Sequence, residues 1–272
     1  MNNIGEKNLF RLARECLLEH DLEKKIRCSR EIVRLFHAGE LQITGDDCPV
    51  ADIEPGRPGK PELVPARALP KRSFATDRGR AAMLHALAHI EFNAINIAWD
   101  AIQRFRNLPA DYYRDWLKIA GEETHHFCLL RTLLQERGYD YGAFDAHDGL
   151  WRAVERTADD VLARMAIVPR VYEARGLDVT PDIINRFREI GEKQICDVLD
   201  IIYADEIGHV AVGNHWFRYI CEQRGLVPFA TFMDLLKQHM DSVPRMRLNR
   251  EARLAAGFSR EELDYMEREF TS

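Results

Sequence analysis

Gly121-Glu-Glu-Thr-His-His-Phe127 and Asp205-Glu-Ile-Gly-His-Val-Ala-Val-Gly213 decide how this chain reads. Each carries a Glu-x-x-His pair, Glu123 with His126 and Glu206 with His209. On a helix, positions i and i+3 project to one side, so one helix can offer an oxygen and a nitrogen to the same cation. A further glutamate precedes each pair: Glu91 lies 32 residues before Glu123, and Glu173 lies 33 before Glu206. Four carboxylates and two histidines so arranged are the ligand set of a two-metal site inside a four-helix bundle.

The surroundings of these glutamates predict burial. Glu91 shares its helix face with Leu84, Leu87, Ala88, Ala94, Ile95 and Ala98. Glu123 shares one with Trp116, Ile119, Ala120, Phe127 and Leu130, and Glu206 with Leu199, Ile202, Tyr203 and Val210. An isolated charge in such a stripe is strongly unfavourable, so each needs a compensating cation or a proton. The neighbouring pair Glu122 and His125 falls on a face with Asp115 and Lys118, which makes Glu123 and His126 the better ligands. Mixed carboxylate and imidazole donors suit iron or manganese. The bland alternatives are chance pairs on helix surfaces, since a lone Glu-x-x-His is common, and for Glu91 a buried salt bridge with an arginine.

Working outward, helical periodicity dominates. Residues 6–39 read as helical, and 77–106 as a long helix. Pro109 suits the first turn of the next helix and Gly138 its end. Glu91 lies 18 residues before Pro109 and Glu123 lies 14 after it, so an antiparallel hairpin brings them level. A third helix is expected over about 150–175 with a kink at Pro169, a stop at Gly176 and a new start at Thr180-Pro181. The fourth reaches about residue 223. Pro228 and Pro244 bracket a short helix, and Ser259-Arg-Glu-Glu262 has the pattern of a capping box. Prolines 49, 55, 58, 61, 65 and 70 make 48–72 an extended strap. The fold class is all-α. The expected organisation is 1–75 as N-terminal helices and strap, 76–224 as a metal-binding four-helix bundle, and 225–272 as C-terminal helices packed on it.

The second hairpin is less tidy. A helix unbroken from Pro181 puts Glu206 about 37 Å along it, at 1.5 Å per residue. That favours Glu155 over Glu173 as the third-helix carboxylate. A break at Gly191 brings Glu173 back into range. Periodicity alone leaves both open.

Bulk properties narrow the rest. Among 272 residues, 46% are hydrophobic and the formal charge is −6, which implies no general affinity for nucleic acid or acidic membrane. Six cysteines, at 16, 28, 48, 128, 196 and 221, lack any Cys-x-x-Cys and suit reduced thiols. The opening residues carry no apolar run, and no stretch has the ~20 apolar residues of a membrane span. The expectation is a cytoplasmic protein without membrane association. Trp99 and Trp116 read as core. His85, His89, His125 and Tyr203 read as packing groups, with His89, His125 and Tyr203 the candidates for supporting the metal ligands. Seven basic residues between 57 and 80 (Arg57, Lys60, Arg67, Lys71, Arg72, Arg78, Arg80) suit either a phosphate-bearing substrate or, the preferred account, salt bridges to an acidic bundle.

Several segments together carry a resemblance. His89-Ile-Glu-Phe-Asn-Ala-Ile95, the two Glu-x-x-His stretches, Val168-Pro-Arg-Val-Tyr-Glu-Ala-Arg-Gly-Leu-Asp-Val-Thr-Pro181 and the strap motifs Pro55-Gly-Arg-Pro and Pro61-Glu-Leu-Val-Pro65 resemble a bacterial ferritin-like family of unestablished substrate. The likeness covers about residues 7–255. That family is similar, more distantly, to the MiaE-type tRNA hydroxylases, which are di-iron enzymes. There a Glu-Ala-Arg segment carries the third-helix ligand, which favours Glu173 here. The ligands implied are Glu91, Glu123, His126, Glu173, Glu206 and His209, holding two iron ions or manganese.

The leading expectation is an oxygen-dependent di-iron oxidoreductase, a hydroxylase of a small molecule or RNA, with dioxygen as co-substrate. No flavin or ferredoxin motif is present, so electrons come from an external donor. The alternatives are a ferroxidase or iron-handling protein, and a partner-binding bundle with structural metal. A homodimer is the expected assembly.

Overall fold

A computed structural model describes residues 7–43, 50, 54–240 and 247–270. Cys48, Pro49, Pro244 and the opening residues read above lie outside the described residues. The fold is all-α, and no strand forms among the described residues. The chain divides into two compact units between Trp151 and Arg152.

The first unit is built on a hairpin of α3 (Asp77–Arg104) and α4 (Ala110–Gln135). Thr76 caps α3, its hydroxyl accepting from the Gly79 N–H at 3.1 Å. Pro109 precedes α4 and Gly138, with φ +76°, follows it. Trp99 and Trp116 are buried in this hairpin. Two shorter helices pack on it, α1 (Leu9–Leu18) against α3 and α2 (Leu22–His37) against α4. The helical run expected over 6–39 is thus broken, because Glu19 turns extended and Asp21 caps α2 through the Lys24 N–H at 2.8 Å. The described part of the strap, 54–72, is extended apart from one 3-10 turn (Ala66–Ala68) and is held by two backbone hydrogen bonds. Gly56 N–H donates to the Leu17 carbonyl at 2.8 Å, and Val64 N–H to Ala146 at 2.9 Å. Arg57 pairs with Asp148 at 3.0 Å and Arg80 with Asp77. Lys60, Arg67, Lys71 and Arg72 make no ion pair among the described residues, so salt bridging accounts for only part of the basic segment.

The second unit holds α6 (Val161–Ile167), a π-helical turn (Val168–Glu173), α7 (Ala174–Glu189) and α8 (Lys193–Gln223), with α9 (Pro228–His239), α10 (Arg250–Ala255) and α11 (Arg260–Phe270) following. The boundary between units falls inside the short helix α5 (Gly149–Arg156). Three expectations are corrected here. The third helix is interrupted after Arg156 and restarts at the Asp160 cap. Gly176 does not stop it, and Thr180-Pro181 does not start another. Pro181 lies inside α7, where its missing N–H leaves the Leu177 carbonyl without its helical donor. Asn249 supplies the replacement, its Nδ2 donating to Leu177 O at 3.2 Å. The helix then ends at Gly191, φ +80°, and α8 begins two residues later. In the C-terminal part the capping box forms as read: Glu262 N–H donates to Ser259 Oγ at 3.1 Å and Ser259 N–H to Glu262 Oε2 at 2.8 Å. None of the described helices is long and apolar enough to cross a membrane.

Candidate metal centre

In the first unit, α3 and α4 bring Glu91, Glu123 and His126 together. All three are buried, His126 completely. His126 Nδ1 lies 3.4 Å from Glu91 Oε2 and 3.5 Å from Glu123 Oε2. One donor atom from each residue lies within 4.8 Å of the others. The nitrogen thus stands between two carboxylates at distances long for hydrogen bonds. They match the ~3 Å that separates neighbouring ligands on a cation with bonds near 2.1 Å.

The electrostatics point the same way. Burial, and then repulsion from the Glu123 carboxylate, push the Glu91 carboxyl well above the usual range. Burial would lower the His126 imidazole, but the Glu123 and Glu91 carboxylates outweigh it and raise it to about 11. Two buried anions around one nitrogen favour a positive charge among them. No arginine or lysine pairs with Glu91 among the described residues. The chemistry of the donor set, two carboxylates and one imidazole without thiolate, fits a hard or borderline divalent cation such as iron or manganese.

In the second unit, Glu206 and His209 lie one turn apart on α8, with Oε1 and Nδ1 separated by 3.6 Å. His209 is buried and Glu206 partly so. Two contacts tie α7 and the π turn to α8. Near the turn, Cys196 Sγ contacts the Ile184 carbonyl at 3.6 Å. Farther along, Gly213 meets Pro169. Glu173 lies between these two contacts along the chain. Glu173 is half-buried and ends the π turn, whereas Glu155 is exposed. The helix runs through Gly176 and Pro181 to a turn at Gly191.

The supporting candidates have other partners. His89 Nδ1 lies 2.8 Å from the Tyr141 hydroxyl and its Nε2 3.2 Å from the His147 carbonyl. His125 is exposed, while Glu122 binds Lys118 at 2.8 Å. The Tyr203 hydroxyl accepts from Asn249 Nδ2 at 2.9 Å. Sequence reading gave no role to Tyr141, which packs on Phe92 and Phe127 at 5.3 and 5.1 Å between ring centres. Both rings neighbour a candidate ligand in sequence. It also gave none to Arg170 in the π turn, although Pro169 beside it marked a helical irregularity.

An uncharacterised protein of Haemophilus influenzae is 46% identical over 216 residues, covering 77% of this chain and 75% of its own length. No solved structure matches. The family described as protein of unknown function (DUF455) matches residues 18–264, and the chain belongs to that family.

Proposed function

We propose that the protein is an oxygen-dependent oxidoreductase that holds two metal ions through Glu91, Glu123, His126, Glu173, Glu206 and His209. The observation that carries this reading is the buried His126 imidazole between the Glu91 and Glu123 carboxylates, where the alternative of an arginine salt bridge to Glu91 finds no partner among the described residues. The second Glu-x-x-His, with its histidine also buried, is a donor pair of the same kind. A glutamate from each of two helices and a Glu-x-x-His from each of the other two is the ligand pattern of ferritin-like di-iron proteins. The resemblance to ferritin-like and MiaE-type hydroxylases supports the same assignment.

When bound, a pair of iron ions supplies redox chemistry toward dioxygen. The chain's own residues hold the ions and exclude water. Ile95, Trp116, Phe92 and Phe127 are all buried beside the ligands and keep the first half dry. Carboxylates suit a centre whose charge changes, because they bind through one oxygen or two. The organic substrate is a small molecule or an RNA, and electrons come from a separate donor. The test is metal content together with the Mössbauer and optical spectra of protein produced in iron-rich medium. About two irons per chain with the signature of a coupled pair is the expected result. Protein that takes up no iron or manganese under any loading condition overturns the proposal.

A further inference from the structure

Arg170 is wholly buried in the π turn, three residues before Glu173. Its guanidinium stacks on Phe232 at 3.8 Å, Phe217 at 4.3 Å and Phe258 at 5.1 Å. An apolar side chain would fill that aromatic cage without the desolvation that a charge suffers there. The charge is instead tied to α11, where Arg170 Nη2 donates to Glu262 Oε1. Glu262 is itself fixed, its second oxygen accepting from the Ser259 N–H.

A second buried pair lies on the other side of Glu173. Arg253 of α10 binds Asp178 of α7 through two hydrogen bonds of 2.9 and 2.7 Å, with both side chains shielded from solvent. Asn249, the cap of α10, adds its N–H to Asp178 Oδ1 at 2.9 Å and its Nδ2 to the Leu177 carbonyl and Tyr203 hydroxyl. The C-terminal helices therefore grip the chain at Arg170 and again at Leu177 and Asp178. Between the grips lies the change from π to α winding, which ends at Glu173. π-Helical turns are rare and occur often at functional sites. One residue of slip there would rotate Glu173 off its face by about 100°.

We infer that α10 and α11 act as a clamp that holds the π turn in the register presenting Glu173 to the metal centre, with Arg170 as the positioning residue. This rests on the metal-centre reading given above. The clamp makes the C-terminal helices part of the site's construction, although none of the proposed ligands comes from them.

The test is anaerobic Fe2+ titration of the full chain, with amide exchange of residues 168–177 and thermal unfolding measured alongside. Glu262→Gln removes the anion that anchors Arg170. Arg170→Lys keeps a charge but loses the planar stack, and serves if Glu262→Gln does not fold. Arg250→Ala is the control, because Arg250 ties α10 to Asp264 and Glu267 of α11 at 2.8 and 2.7 Å without touching the turn. Glu173→Gln marks the loss expected from the ligand itself. The expected result is a fall in iron affinity on the order of tenfold or more in Glu262→Gln and Arg170→Lys, faster exchange over 168–177, and neither change in Arg250→Ala. If Glu173→Gln loses iron while Glu262→Gln and Arg170→Lys keep wild-type affinity and exchange, the clamp is overturned and the metal centre stands. If wild type binds no iron, or Glu173→Gln binds as wild type, the metal reading fails at that ligand and the inference fails with it.

Discussion

Pro169 occupies the space in which a side chain on Gly213 would begin: a Cβ at Gly213 would lie 2.2 Å from the Pro169 Cβ. That contact seats the π turn against α8, one helical turn beyond His209. It explains a glycine in the interior of a 31-residue helix, where its propensity is poor.

Gly213→Ala should therefore destabilise the protein despite the better helix former. The proline ring is rigid and cannot swing aside, so the expected loss is about 1–3 kcal/mol, measured by urea unfolding. Gly208, whose Cβ would meet nothing within 4 Å, is the control, and Gly208→Ala should be neutral or stabilising. Equal behaviour of the two variants would refute the contact.

Glu123→Ala and Glu206→Ala should each lose metal while far-UV circular dichroism stays helical. Iron per chain after gel filtration is the readout. Full metal content in both variants would reject the ligand assignment. For wild type, added metal should raise the unfolding free energy by about 2.7 kcal/mol at a hundred times the dissociation constant, and a chelator should remove that increment.

Lys25 gives a prediction at alkaline pH. It is buried, and its Nζ donates to the Leu17 carbonyl at 2.9 Å and Asn96 Oδ1 at 2.5 Å. Burial brings its pKa down to about 8 from 10.5, against a smaller raising pull from the Cys16 and Cys28 thiols. Between those values the unfolded chain binds more protons than the folded one, so this contribution to stability rises with pH. It is fully present above about 10.5 and lost as pH falls through 8. The urea midpoint of wild type relative to Lys25→Met should climb across that window. A constant difference would contradict a buried charged lysine.

His85 gives one at acid pH. Its Nε2 accepts the Gly142 N–H at 2.9 Å, which requires that nitrogen to be unprotonated. Burial, then the nearby Arg72, lowers its pKa to about 4. The unfolded histidine takes up its proton near 6.5, so the contribution is complete above that pH and is lost as pH falls through 4. Amide exchange at Gly142 should accelerate over that interval, beyond the ordinary pH trend of neighbouring amides. His85→Phe keeps a ring against Tyr141 but loses the acceptor, and should cost about 1 kcal/mol.

Much of the first hairpin was legible in the sequence. Glu91 sits among small and apolar residues at helical spacing, Pro109 and Gly138 bound the next helix, and comparable distances from the turn put Glu91 and Glu123 at about one level. Local periodicity and backbone chemistry suffice for such an arrangement. The second hairpin was less readable, because Gly176 and Thr180-Pro181 carry strong local signals for a helix end and a helix start. Neither signal operates, since the carbonyl freed by Pro181, that of Leu177, is satisfied by Asn249, 72 positions farther along the chain.

By itself, then, the sequence determined the all-α class, the buried character of Glu91 and Glu123, and the paired Glu-x-x-His motifs, since each follows from which residues share a helix face. Only the tertiary structure decided that the third-helix region winds through a π turn and that α7 continues past a proline to a turn at Gly191. Those outcomes depend on contacts between residues distant in the chain, Pro169 with Gly213, Arg170 with Glu262 and Leu177 with Asn249, whose energies outweigh the local preferences that pattern alone can read.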